Sequence, residues 1–235
     1  MLKKNCFCAL KRSGHHAVMN WYFGHIKNYY FLNNINSKNT IIPEFEKLKN
    51  ILNKKDFFIT NIEDFDFDNP FNIQNKINYK FENYFYVLRN PFNLLASRIK
   101  SYEIPTCLEK KEICINDLIL WKKFAHHFLK NNDKTILYDL WFESESYRDN
   151  ISKILSFKNL NLNLDIVLNF GNGSSFDFFK FDKNAQKMNV LKRYEEFQDN
   201  QNFIEIFDYE TVFLTHKIFG KKNIPKKLIS RISFL

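Results

Sequence analysis

The chain has 235 residues, enough for one domain with a sizeable core. Hydrophobic residues make up 45% of it and aromatics 17%, with 27 Phe, which excludes an intrinsically disordered chain. The formal charge of +9 suits a lysine-rich solvated surface or a basic face turned toward an anionic ligand.

The apolar run from Asn5 to Leu10 predicts a first strand. After a basic turn, Ala17, Val18, Trp21, Tyr22 and His25 recur at helical spacing, one stripe to lie on a sheet. Tyr29 to Asn34 reads as a second strand, Glu44 to Asn53 as a helix, and Asp56 to Asp64 as a buried strand emerging into acidic groups. Asp66 to Asn72 reads as a loop, and Tyr84 to Leu88 as a central parallel strand. Helices follow from Phe92 to Tyr102 and from Ile115 to Lys130, the second with Leu118, Trp121, Phe124, Ala125 and Phe128 on one face. Thr135 to Phe142 is predicted as a strand, and Ser144 to Phe157 as a helix capped at Ser144 or Ser146. A glycine-rich turn, Gly171 to Phe176, precedes a last helix from Phe203 to Phe219, stopped by Gly220. Trp21, Trp121 and Trp141 are assigned to the core. This alternation predicts a single α/β domain over residues 1–235, with a mainly parallel central sheet and helices on both faces.

No run reaches the ~18 apolar residues of a spanning helix. The short stretch from Cys6 to Leu10, followed at once by Lys11 and Arg12, is not a signal peptide, so the expectation is a soluble, cytoplasmic protein. The four cysteines are not expected to form a disulfide framework. Cys6 and Cys8 alternate along a strand and face one side as small buried residues. A zinc site from Cys6, Cys8, His15 and His16 matches none of the usual ligand spacings, and no metal is expected.

Two motifs about 75 residues apart carry the chemistry, each a strand, a tight basic turn and an amphipathic helix. One helix opens just after Gly14, the other just after Pro91. Helix N-termini attract anions, because their first N–H groups lack helical partners. Two such seats on one sheet suggest a ligand with two anionic ends, a nucleotide.

At these residues the chain resembles the sulfotransferases that use 3′-phosphoadenosine 5′-phosphosulfate (PAPS). Their basic Ser-Gly loop around the 5′-phosphosulfate corresponds to Arg12, Ser13, Gly14, His15 and His16. Their 3′-phosphate element, Arg, Asn or Asp, Pro, and a Ser eight residues after the Arg, corresponds to Arg89, Asn90, Pro91 and Ser97. More loosely, Gly171 to Phe176 falls where the family places a loop over the nucleotide, offering Gly173, Ser174 and Ser175 as donors.

The resemblance implies a P-loop-like site with PAPS as donor and 3′-phosphoadenosine 5′-phosphate (PAP) as product. The N–H groups of Gly14 to Ala17 would face the phosphosulfate, and Arg12 would bridge the sulfonate and the leaving oxygen. The family commonly has Lys at that place, so Arg12 keeps the charge and puts a proton-donating role in doubt. Arg89 and Ser97 would hold the 3′-phosphate, with Lys192 and Arg193 read either as added charge or as an exposed helix face. Glu63 is the first choice for the base that takes the acceptor's proton, with His15 and His16 as rivals. His126 and His127, in mid-helix, are read as structural. The implied acceptor is a hydroxyl on a carbohydrate or glycolipid.

Two other classes remain open at this point. A nucleotide kinase or other P-loop NTPase is disfavoured because Gly14 is followed by His15 and His16, not Lys-Ser, with no earlier Gly. A basic nucleic-acid-binding protein is disfavoured because the basic residues scatter and no such motif is present, so no nucleic acid partner is expected.

Overall fold

The computed structural model describes residues 2–35, 41–68, 80–101, 111–131, 134–167, 177, 180–181 and 183–232. Five strands carry the molecule: β1 (Lys3–Ala9), β2 (Tyr29–Leu32), β3 (Phe57–Glu63), β4 (Asn83–Leu88) and β5 (Thr135–Leu137). They form one sheet in the order β2-β3-β1-β4-β5, and every pairing is parallel. Parallel strands need crossover connections, and helices supply those from β1 to β2, from β2 to β3 and from β4 to β5.

Strand alternation sorts the side chains into two layers. Phe7 and Ala9 of β1, Ile59 of β3, and Phe85 and Val87 of β4 pack on one face. Helix α1 (His15–Phe23) covers them through Val18, Met19, Trp21 and Tyr22. Cys6, Cys8 and Leu10, with Phe58 and Ile62, pack on the other face. There α2 (Phe45–Leu52) brings Leu48 and Leu52, and a later helix brings Trp121 and Phe124. That later helix is α4 (Lys111–Lys130), which follows α3 (Pro91–Lys100). The second face continues into a cluster joining α3 and α4 to α7 (Gln201–Ile206), α8 (Tyr209–Phe219) and α9 (Lys226–Ile229). All three tryptophans are buried, as expected.

From β1 the chain crosses toward β2; from β4 it crosses toward β5, on the opposite side. The carboxyl ends of these two adjacent strands therefore open a crevice where the topology switches, the usual ligand position of such sheets. Both basic turns lie there.

Three expectations need correction. The segment from Thr135 to Phe142 is a strand only to Leu137. Tyr138–Glu143 is helix α5, whose Tyr138 and Trp141, three apart, both pack on the α1 face. A second helix, α6 (Glu145–Ile154), then starts at Ser144, whose hydroxyl accepts from Tyr147 N at 3.2 Å. The predicted helix from Phe203 to Phe219 is two helices. Asp208 interrupts it by capping α8, accepting from Thr211 N at 2.8 Å and Thr211 Oγ1 at 2.6 Å. Cys6 and Cys8 are free and buried, whereas Cys114 is disulfide-bonded, so the cysteines are not uniformly unpaired. Among the described residues no helix is long and apolar enough to cross a membrane. The glycine-rich turn with Gly173, Ser174 and Ser175 lies outside the described residues.

Candidate functional site

The first turn is built by backbone geometry. Arg12 (φ 66°) and Gly14 (φ 83°) both adopt left-handed conformations, so the chain reverses between β1 and α1 within a few residues. Gly14 occupies the N-cap, and a Cβ there would lie 2.2 Å from Tyr138 Cε2, so only glycine fits under that ring. Ala17 N donates to Gly14 O at 3.0 Å, which removes it from the expected anion cradle: the helix has already claimed that donor. Ser13 is fully buried, with Oγ 3.3 Å from His15 Nδ1.

The second turn supplies buried positive charge. Arg89 extends from β4 and donates through its NH1 nitrogen to Arg12 O (2.9 Å) and Ser97 Oγ (3.2 Å), and through NH2 to Val190 O (2.5 Å). Arg193 reaches the same hydroxyl at 3.0 Å and pairs with Asp177 at 2.7 Å. Two guanidinium groups thus converge on one serine oxygen, and both arginines are buried. Burial, then the charge of Arg193, pulls the Arg89 guanidinium down to about 10, so it stays protonated at neutral pH. Arg193 is also lowered, chiefly by burial. Asp177 supplies a counter-charge to one of these two buried cations.

Asn90 is the structural member of this turn. Its side chain accepts from Phe92 N (3.0 Å) and Asn93 N (3.4 Å), capping α3, while Pro91 takes the first helical position. Asp139 accepts from Asn90 N at 2.9 Å, and burial raises its carboxyl to about 6. Tyr138 links the two turns: its ring covers Gly14 and lies 5.1 Å from the Arg89 guanidinium. Arg98, paired with Asp64 and Asp117, donates to Lys11 O at 3.1 Å and so braces the first turn from α3.

A third cluster lies at the end of β3. Alternation puts Asn61 and Glu63 on the same face as Ile59, the face covered by α1. Glu63 Oε1 is 3.3 Å from His15 Nε2 and 3.6 Å from His16 Nε2. Asn34 holds Glu63 twice, donating from Nδ2 to the carboxylate Oε2 (3.0 Å) and accepting at Oδ1 from the Glu63 backbone N–H (3.2 Å). Asn61 Oδ1 accepts from Asn34 N at 2.8 Å, which turns its NH2 toward His15 Nε2 at 3.1 Å. Burial, then the charge of His15, lowers His16 to about 3. Burial would raise the Glu63 carboxyl, but the hydrogen bond and charge of His15 and the charge of His16 outweigh it and hold it at about 2. Glu63 is therefore ionised and His16 neutral at pH 7.

The sequence-predicted residues thus separate into two groups. Arg12, Ser13, Gly14, Arg89 and Ser97 meet in the crevice between β1 and β4, whereas His15, His16 and Glu63 meet at its β3 side. Cys6 and Cys8, with sulfurs 3.9 Å apart, lie on the opposite sheet face from the two histidines. Exposed His126 pairs with Glu210 at 2.9 Å, and His127 stacks on Phe67, both away from the two basic turns in sequence. Lys192 is exposed, but Arg193 belongs to the site. Asn34, Asn61 and Tyr138 were not singled out by sequence. The alternation Phe57, Ile59, Asn61, Glu63 carried a usable signal for Asn61; the other two carried none.

Comparison with protein-family models, with curated proteins and with solved structures returns no match. The site's own geometry carries the functional reading.

Proposed function

We propose that the protein is a PAPS-dependent sulfotransferase that moves a sulfonate to an acceptor hydroxyl, with a carbohydrate or glycolipid as acceptor. One observation carries this reading: the buried Arg89–Arg193 pair sharing Ser97 Oγ, one strand away from the left-handed turn at Gly14. A nucleotide with a 3′-phosphate and a 5′-phosphosulfate presents anions to both seats, and the 3′-phosphate would join Asp177 in offsetting the charge of the arginines.

On this reading Arg12 and the N–H groups of the first turn stabilise charge developing on the bridging oxygen and the sulfonate. Sulfonyl transfer, like phosphoryl transfer, depends mainly on positioning and charge. Glu63 is the base. A carboxylate held at about 2 is weak, so it accepts a proton only from an acceptor hydroxyl already losing it in the transition state. Neutral His16, beside it, orients that hydroxyl.

The test is calorimetric titration with PAP, with AMP and ATP as controls, on wild type, Arg89→Ala and Ser97→Ala. Binding that requires the 3′-phosphate and weakens in both variants is expected. Because Arg89 also supports the backbone at Arg12 and Val190, each variant is checked by thermal melting. Equal binding of ATP and PAP, or no binding of PAP, sinks the reading and favours a kinase-like enzyme.

A further inference from the structure

We propose that His15, His16 and Glu63 form a binding site for a divalent transition-metal ion of zinc-like preference. Among the described residues these three side chains are the ones whose ligand atoms all lie within 4.8 Å of one another. Two of the separations are 3.3 and 3.6 Å. Nitrogen and oxygen ligands about 2.0–2.1 Å from a tetrahedral ion stand roughly 3.4 Å apart, so an ion fits between Glu63 and each imidazole with small movements.

Two imidazoles and one carboxylate make a donor set suited to zinc and its neighbours, unlike the all-oxygen sets of calcium and magnesium. The ligands come from the start of α1 and the end of β3, both fixed by the sheet. Outer contacts are also in place. Ser13 Oγ lies 3.3 Å from His15 Nδ1, and Asn34 Nδ2 donates to the second Glu63 oxygen at 3.0 Å. The His15 side chain is 3% exposed, whereas His16 and Glu63 are 23% and 15% exposed. That opening gives the ion an entry path and leaves a coordination position for water.

One contact competes with the ion. The Asn61 amide nitrogen stands 3.1 Å from His15 Nε2, the atom that would ligate the metal, while Asn61 Oδ1 accepts from Asn34 N at 2.8 Å. Asn61→Asp keeps an oxygen for Asn34 and turns the other toward the ion, adding a fourth ligand. It should therefore bind metal more tightly than wild type. A bound ion also claims the Glu63 oxygen nearest both histidines. If Glu63 is the base of the proposed transfer, metal occupancy and turnover exclude one another. That last clause rests on the transfer reading; the metal site does not.

The experiment is Co²⁺ titration of metal-free protein, followed by visible absorption and calorimetry, with Zn²⁺ as competitor. Wild type should bind one ion saturably, with the intense absorption of low-coordinate Co²⁺ and displacement by Zn²⁺. His16→Ala, at the most exposed ligand, and Glu63→Gln should weaken binding by about a hundredfold or more. Asn61→Asp should strengthen it, a gain that misfolding cannot mimic. Cys6→Ser/Cys8→Ser should bind as wild type does. No saturable binding by wild type overturns the proposal, as does unchanged affinity in His16→Ala and Glu63→Gln, or loss only in the cysteine variant. Saturable metal binding in a protein that ignores PAP leaves this site standing and removes the sulfotransferase reading alone.

Discussion

Gly14→Ala tests how tightly the two basic turns are coupled. The substitution meets two independent costs. At φ 83° and ψ 9° a residue with a Cβ is in the left-handed region, which costs about 1–2 kcal/mol. The new Cβ would also stand 2.2, 2.5 and 2.5 Å from three atoms of the Tyr138 ring. Real Cβ contacts are never that short, so the ring must move. Tyr138 is only 4% exposed, and forcing atoms into such packing costs roughly 1–3 kcal/mol. Together the loss is about 2–5 kcal/mol, measured by urea unfolding. The displaced ring also stacks on Arg89, so PAP affinity should fall although Gly14 touches only the first seat. A double-mutant cycle with Tyr138→Ala separates the terms. Without the ring only the dihedral cost remains, so Gly14→Ala should cost about 1–3 kcal/mol less in that background. Equal costs in both backgrounds would refute the steric coupling, and a total below about 1 kcal/mol would refute the whole account.

Two further outcomes follow from the site. Arg193→Met removes one of the two donors on Ser97 and should weaken PAP binding by about ten- to a hundredfold, the worth of hydrogen bonds to a charged group. AMP, which lacks the 3′-phosphate, should bind unchanged, and equal loss for both nucleotides would place Arg193 elsewhere in function. Asp139 predicts a pH effect on stability. Its folded-state carboxyl is raised to about 6 by burial, so between about pH 4 and 6 the folded protein holds a proton that the unfolded chain has released. That contribution is complete below pH 4 and is lost as pH rises through 6. Asp139→Asn retains an oxygen for Asn90 N and should abolish this loss, so its stability relative to wild type should rise between pH 4.5 and pH 7. A pH-independent difference between the two proteins contradicts the assignment.

Local patterns carried most of the fold. The continuous apolar run of β4 and the helical stripe of α1 announced buried strands and a covering helix. The end of the chain was harder, because helical spacing in the segment 203–219 runs unbroken through Asp208, and only the Asp208–Thr211 cap divides it. The strand expected from Thr135 to Phe142 failed for a related reason. Apolar residues there satisfy both periods, and packing of Tyr138 and Trp141 on α1 selected the helix. In the site, the two basic turns were legible because each needs special local chemistry, a glycine at positive φ and a capped Asn-Pro helix start.

By itself, then, the sequence determined the alternating α/β architecture and the two basic turns that follow β1 and β4. These depend on hydrophobic period and backbone conformation, properties of neighbouring residues. Only the tertiary structure decided which charges meet. Arg193, 96 residues after Ser97, joins Arg89 on one hydroxyl. Glu63 meets His15 and His16 because β3 lies beside β1 and turns its odd-numbered side chains toward α1. Strand order and register set those encounters, and both are fixed by burial across the whole sheet, which no local segment of the chain encodes.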